Sequence, residues 1–134
     1  MTAFALFANA VTLRGFLGRD AEIHASEPIT EDAYAVLLLG TASGTWDIAT
    51  NEWTPQIQWH RVICPGPFFC GLTRGMKRGQ YLEVEGEMRE LQQQRAVVVA
   101  GEQFPVSRSI YAVHAIHIRR LERPLAVVDS SDGS

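Results

Sequence analysis

No stretch of this chain approaches 18 uninterrupted apolar residues, so the sequence predicts no membrane-spanning helix. Residues 1–10 are apolar but carry no basic residue, which does not match a secretory leader, and the expected location is cytoplasmic. Cysteine is scarce. Cys64 and Cys70 are the only two, and a reduced, packed pair is the simplest reading in a cytosolic chain. A structural zinc site needs about four ligands. Cys64, Cys70, His114 and His117 are the available set, but His114 and His117 lie three apart in a strand-like run, where alternation sends them to opposite faces. Neither a metal nor a cofactor is expected. Lysine is nearly missing: Lys77 stands alone beside eleven arginines. Arginine offers a planar cation that stacks on bases and grips phosphate, although a GC-rich genome favours arginine codons too. The sequence has no internal repeat, no GxGxxG and no P-loop. It also has no visible nucleophile–base pair, so an enzyme is not expected.

What is present fits one domain of ordinary globular balance: 134 residues, 46% hydrophobic and 20% charged. The net charge of −3 is unevenly spread. Residues 1–60 hold two basic and seven acidic residues, whereas residues 61–123 hold ten basic and six acidic. A general polycation is excluded, but a local basic groove is not.

Val11, Leu13, Gly15 and Leu17 alternate with Thr12, Arg14 and Phe16, which predicts a half-buried first strand. Arg19 to Asp32 reads as a loop. Tyr34 to Leu39 predicts a second strand that frays or bulges through Gly40 to Gly44. Asp47 to Pro55 reads as a hairpin tip. In the third strand, Gln56 to Cys64, Trp59, Arg61 and Ile63 share one face, while Gln58, His60, Val62 and Cys64 share the other. After Pro65-Gly66-Pro67, the segment Phe68 to Arg78 predicts a helix with Phe68, Phe69, Leu72 and Met76 on one face. Leu82 to Met88 predicts a fourth strand, Gln92 to Ser107 a hairpin or flexible loop, and Ile110 to Leu121 a last strand. The expected class is all-β: a five-stranded Greek-key barrel of the OB type with one short helix between strands 3 and 4. It occupies residues 1–123, followed by a short flexible tail at 124–134.

Three segments carry a family resemblance. Asn9 to Asp20 resembles the opening strand of the bacterial single-stranded DNA-binding proteins. Gln58-Trp59-His60-Arg61-Val62 is similar to their Glu-Trp-His-Arg-Val centre, and Lys77-Arg78-Gly79 through Glu85-Gly86 to their turn into the fourth strand. The resemblance implies sequence-independent binding of single-stranded DNA in replication, recombination or repair, and a homotetramer or homodimer. Such binding needs aromatic platforms and a basic groove. Trp59 and Arg61, two residues apart on one strand face, supply one of each. Burying Trp59 as core would carry Arg61 towards the interior, which is costly. Trp46 is either a second platform or a cover for the barrel end, and Trp53 falls at the tip that the resemblance wraps around the strand. Phe16 is placed for stacking or for an interface. Arg14, Arg89 and Arg95 are the remaining phosphate candidates. The resemblance also implies subunit contacts at His60, beside Val11 and Leu13.

The sequence departs from the family after the fourth strand, where Arg89 to Arg95 holds no aromatic, and at its end, which lacks an acidic tip with an apolar terminus. Glu83, Glu85 and Glu87 alternate along one strand and read as a solvated face. Two alternatives compete with DNA binding: an assembly module with weak or lost DNA binding, and a metal-dependent nuclease using the three glutamates.

Overall fold

The computed structural model describes residues 6–26 and 28–123, so the predicted tail falls outside the described residues. The strands are β1 (Val11–Leu17), β2 (Glu22–His24), β3 (Tyr34–Asp47), β4 (Glu52–Pro65), β5 (Tyr81–Val99) and β6 (Glu102–Arg120), with helix α1 (Gly66–Thr73) between β4 and β5. The sheet order β1-β5-β6-β4-β3-β2 closes on itself through a β1–β3 pairing. The result is the five-stranded OB barrel expected from the strand pattern, with β2 added beside β3.

Alternation accounts for the core. Ala35, Leu37 and Leu39 of β3 point inward against Val62 and Cys64 of β4, Leu82 and Val84 of β5, and Val113, Ala115 and Ile118 of β6. Leu37, Leu39, Val62, Leu82 and Val84 are fully buried. Each contributes about 1.5–3 kcal/mol relative to an exposed side chain. Val11 and Leu13 pack partly buried against the same core.

The structure corrects several local expectations. β2 forms inside the segment read as a loop, because Glu22, Ile23 and His24 find partners in Val36, Ala35 and Tyr34. β3 neither frays nor bulges at its glycines: the β3–β4 ladder runs unbroken from Tyr34↔Pro65 to Asp47↔Glu52. The helix ends at Thr73 rather than Arg78, and Gly75 follows at φ 89°. Thr73 and Cys70 are its buried residues, while Phe68 is exposed. Met76 is buried but beyond the helix, and Lys77 and Arg78 belong to a turn held by Asp20, whose Oδ1 accepts from the Arg78 N–H at 2.9 Å. That bond, ahead of the nearby Lys77 charge, holds the Asp20 carboxyl below its ordinary range.

The segment at 92–107 is regular β-structure. β5 and β6 pair without interruption from Gly86↔Ala115 to Val99↔Glu102, projecting a long arm from the barrel. Its turn places Ala100 at φ 55° and Gly101 at φ 84°, the left-handed pair that a two-residue hairpin turn requires.

Nearer the barrel, Glu85 pairs with His117 and Gly86 with Ala115, leaving Ile116 as an unpaired bulge. The bulge overturns the alternation argument for the histidines. His114 pairs with Glu87 and His117 with Glu85, so both stand on the outer face. Cys64 and Cys70 are buried, and among the described residues no three metal-capable side chains converge.

Candidate nucleic-acid interface

The continuous β3–β4 register places Tyr34, Val36, Leu38, Gly40, Ala42, Gly44 and Trp46 on the outer face. Opposite them stand Pro65, Ile63, Arg61, Trp59, Ile57, Pro55 and Trp53. All three tryptophans therefore share one surface. At a rise of about 3.3 Å per residue, Trp53 and Trp59 stand about 20 Å apart along β4. None is a core residue: Trp46, Trp53 and Trp59 are 52%, 55% and 54% exposed.

Glycines hold two of these rings in place. A Cβ built on Gly40 would meet Trp59 Cζ3 at 2.6 Å, and one on Gly18 would meet the same atom at 2.5 Å. The benzo ring occupies the space of two missing side chains. Gly44 does the same for Trp53, whose Cζ2 would clash with a Cβ at that position. In the sequence Gly40 and Gly44 read as points where the strand frays or bulges, which hides their part in seating the rings. The available signal was parity: Gly40, Gly44 and Trp46 fall on alternate positions of one strand.

Phe16 pairs with Gly40 across the β1–β3 closure, so it flanks Trp59 one strand further on. Its ring packs on Tyr81 at 4.8 Å between centroids, and the Arg123 guanidinium stands 5.2 Å over it. His60 faces the other way from Trp59, and its Nε2 is 2.9 Å from Thr41 Oγ1.

The arginines divide into occupied and free. Arg14 donates to Glu83 Oε1 from Nε at 3.1 Å and from Nη2 at 2.9 Å, and Arg119 donates to both Glu83 oxygens at 3.2 Å. Glu83 is only 6% exposed, so the acidic ladder is not the uniform solvated face expected from its alternation. The Arg14 hydrogen bond, helped by Arg119, holds the Glu83 carboxyl below its ordinary range. Arg89 is bound by Glu87, donating from Nε to Oε2 at 2.8 Å. Glu83 and Glu87 are thus neutralised by arginine rather than poised for a metal. Among the described residues Arg61 and Arg95 make no ion pair. Arg61 adjoins Trp59 on the outer face, and Arg95 stands on the arm beside Phe104 and Pro105.

Beyond Arg61 the outer face opens into a cleft of about 630 Å³ between β2, the β3–β4 ribbon and the base of the arm. At its edge His24 stacks on Tyr34, 4.8 Å between centroids and 9° from parallel. Neither residue stands out in the sequence, because the strand that brings His24 to Tyr34 is three residues long and set by tertiary pairing.

A closed OB barrel with half-exposed aromatics and a free arginine on one face has the form of a nucleic-acid or oligosaccharide-binding module. No family model matches the sequence. Among solved structures, the chain is similar to the Plasmodium falciparum SSB in complex with ssDNA, with a TM-score of 0.65 and 19% identity over 87% of this chain and 96% of that one. It is also similar to a deletion mutant of the single-stranded DNA binding protein from Thermus aquaticus (TM-score 0.65, 22% identity), covering 86% of this chain but 51% of that one. A third likeness is to the small single-stranded DNA-binding protein from Streptomyces coelicolor, with a TM-score of 0.54 and 15% identity over 90% of this chain and 99% of that one. At these identities the likenesses establish the fold.

Proposed function

We infer that this chain belongs with the single-stranded DNA-binding proteins. On this reading it binds single-stranded DNA with little regard to sequence and does no chemistry on it, in replication, recombination or repair. The observation that carries the reading is the half-exposed Trp59 ring, set on Gly18 and Gly40 with the unpaired Arg61 beside it. An exposed indole fixed by its bed is a stacking platform, and the adjacent guanidinium takes a phosphate. Trp53 and Trp46 continue the track along β4 and β3, Phe16 flanks it, and Arg95 extends it onto the arm. Arg14 and Arg89 reach phosphate only in competition with Glu83 and Glu87, so stacking carries more of the affinity than charge does. The structure solved with DNA among the similar proteins supports the same reading.

The decisive experiment is a tryptophan-fluorescence titration with oligo-dT at several salt concentrations. Quenching with a shallow salt dependence is expected. No quenching and no mobility shift at low salt would leave the second reading, an OB assembly module with weak or lost DNA binding. The arginines occupied by Glu83 and Glu87 favour that alternative. Both readings include self-association into a homotetramer or homodimer through the Val11, Leu13 and His60 side, where Met88 and Tyr111 also remain exposed. A monomeric mass by light scattering at micromolar concentration would remove it.

A further inference from the structure

We propose that the cleft beyond Arg61 is a base-selective subsite that takes one unstacked nucleobase bearing an exocyclic amine, cytosine in preference to thymine. The proposal rests on the single-strand-binding reading, since the cleft ends the same outer face that carries Trp59 and Arg61.

Its volume of about 630 Å³ falls within the ~300–1,000 Å³ of small-molecule sites. Its walls suit a flat ring. Val36, Ile63 and Pro65 line one side and Leu91 and Ile110 the other. The parallel His24–Tyr34 pair gives an aromatic surface at the edge, with Tyr34 38% exposed. Arg61 lies at the entrance from the tryptophan track, where it meets the phosphate of a nucleotide whose base turns inward.

The charges on the rim choose between base and phosphate. Glu22, Glu31 and Asp32 all line the cleft. Arg19 is 3.8 Å from Glu22 and so is partly occupied, while Glu31 and Asp32 make no ion pair among the described residues. A phosphate would be repelled there. A carboxylate has no hydrogen to give, so it recognises a donor. Cytosine N4 and adenine N6 each offer an amine with two hydrogens, whereas an unpaired thymine offers a single N3–H flanked by the O2 and O4 acceptors, so a carboxylate that takes that hydrogen stands against two carbonyl oxygens.

Two pyrimidine homopolymers test this effect at constant ring size. Oligo-dC and oligo-dT of equal length are titrated against the full chain at one salt concentration. Oligo-dC is expected to bind about tenfold more tightly, the lower end of a discriminating base contact. In a Glu31→Gln/Asp32→Asn variant the ratio falls to about one or inverts, because an amide can donate to O4. Equal affinity of the wild type for the two, or a preference for oligo-dT, overturns the subsite and leaves single-strand binding intact. If the variant tightens both oligomers equally and keeps the dC:dT ratio, the carboxylates act only by repelling phosphate, and the subsite is again overturned. Binding of neither oligomer removes the underlying reading and the subsite with it.

Discussion

Trp59 and Gly40 face one another across β4 and β3, and the indole occupies the volume that any side chain at Gly40 would need. Gly40→Ala therefore pushes the ring off its bed. Because the ring is half exposed it swings outward at little cost to the fold, so the denaturation midpoint should stay near wild type. Oligo-dT affinity should fall by about 1–3 kcal/mol, the worth of one stacked base. Fluorescence titration beside a urea melt checks both. Unchanged binding would show that Trp59 position does not matter.

Trp59→Ala and Arg61→Ala should separate stacking from charge. The first lowers oligo-dT affinity by roughly 1–3 kcal/mol while leaving the salt slope nearly unchanged. The second removes at most one phosphate contact, so the slope of log affinity against log salt should shrink by about 0.7 or less, alike for all sequences. Titrations at four salt concentrations give both numbers.

Glu83 sets an acid limit on stability. Its folded-state pKa is held below the ordinary 4.5 by hydrogen bonds from Arg14 and Arg119. The stabilisation is therefore complete above the ordinary carboxylate range and lost as pH falls through the depressed folded value. Glu83→Gln should be less stable than wild type at neutral pH, and the gap should close as pH drops below that range. Urea midpoints from pH 7 down to pH 3 test this. A constant gap would mean that the two arginines act by packing alone.

Burial pushes the Cys64 thiol up to about 12, and Cys70 is equally inaccessible. Cys64 therefore carries no thiolate at neutral pH, and thiolate is the reactive form, while Cys70 is shielded by its burial. A thiol reagent at pH 8 should label neither cysteine in the native protein and both in denaturant. Rapid labelling of the native protein would contradict the packing of α1 on β4.

At the end of the arm, Ala100 occupies a left-handed conformation that costs an L-residue about 1–2 kcal/mol. Ala100→Asn creates the Asn-Gly pair that such turns favour, and it should raise stability by up to about 1 kcal/mol. Thermal melts would reveal it, with Gly101→Ala as the opposing control.

Much of the barrel was legible because its strands alternate: Leu37, Leu39, Val62, Leu82 and Val84 announce their inward faces at period two. So does the pairing of Trp59 with Arg61 outward. The failures share a cause. β2 exists through its register with Val36, Ala35 and Tyr34 rather than through its own residues. Glu83 is buried because arginines arrive from β1 and β6, and His114 and His117 share a face because of a bulge at Ile116. Gly40 reads as a weak point in a strand until Trp59 is placed over it. Such features depend on distant partners, which a local pattern does not contain.

The barrel closes along two short seams. Phe16↔Gly40 and Leu17↔Leu39 join β1 to β3, and Val62↔Val113 and Ile63↔His114 join β4 to β6. Everything else divides into two laminae, β1-β5-β6 and β2-β3-β4, each with long internal ladders. The molecule is thus two shells joined along narrow rims. Native-state amide exchange at the β4–β6 seam should proceed by local opening, well before the β5–β6 ladder exchanges. Ile63 belongs to that seam and also to the cleft wall, so local opening of the seam is expected to widen the cleft.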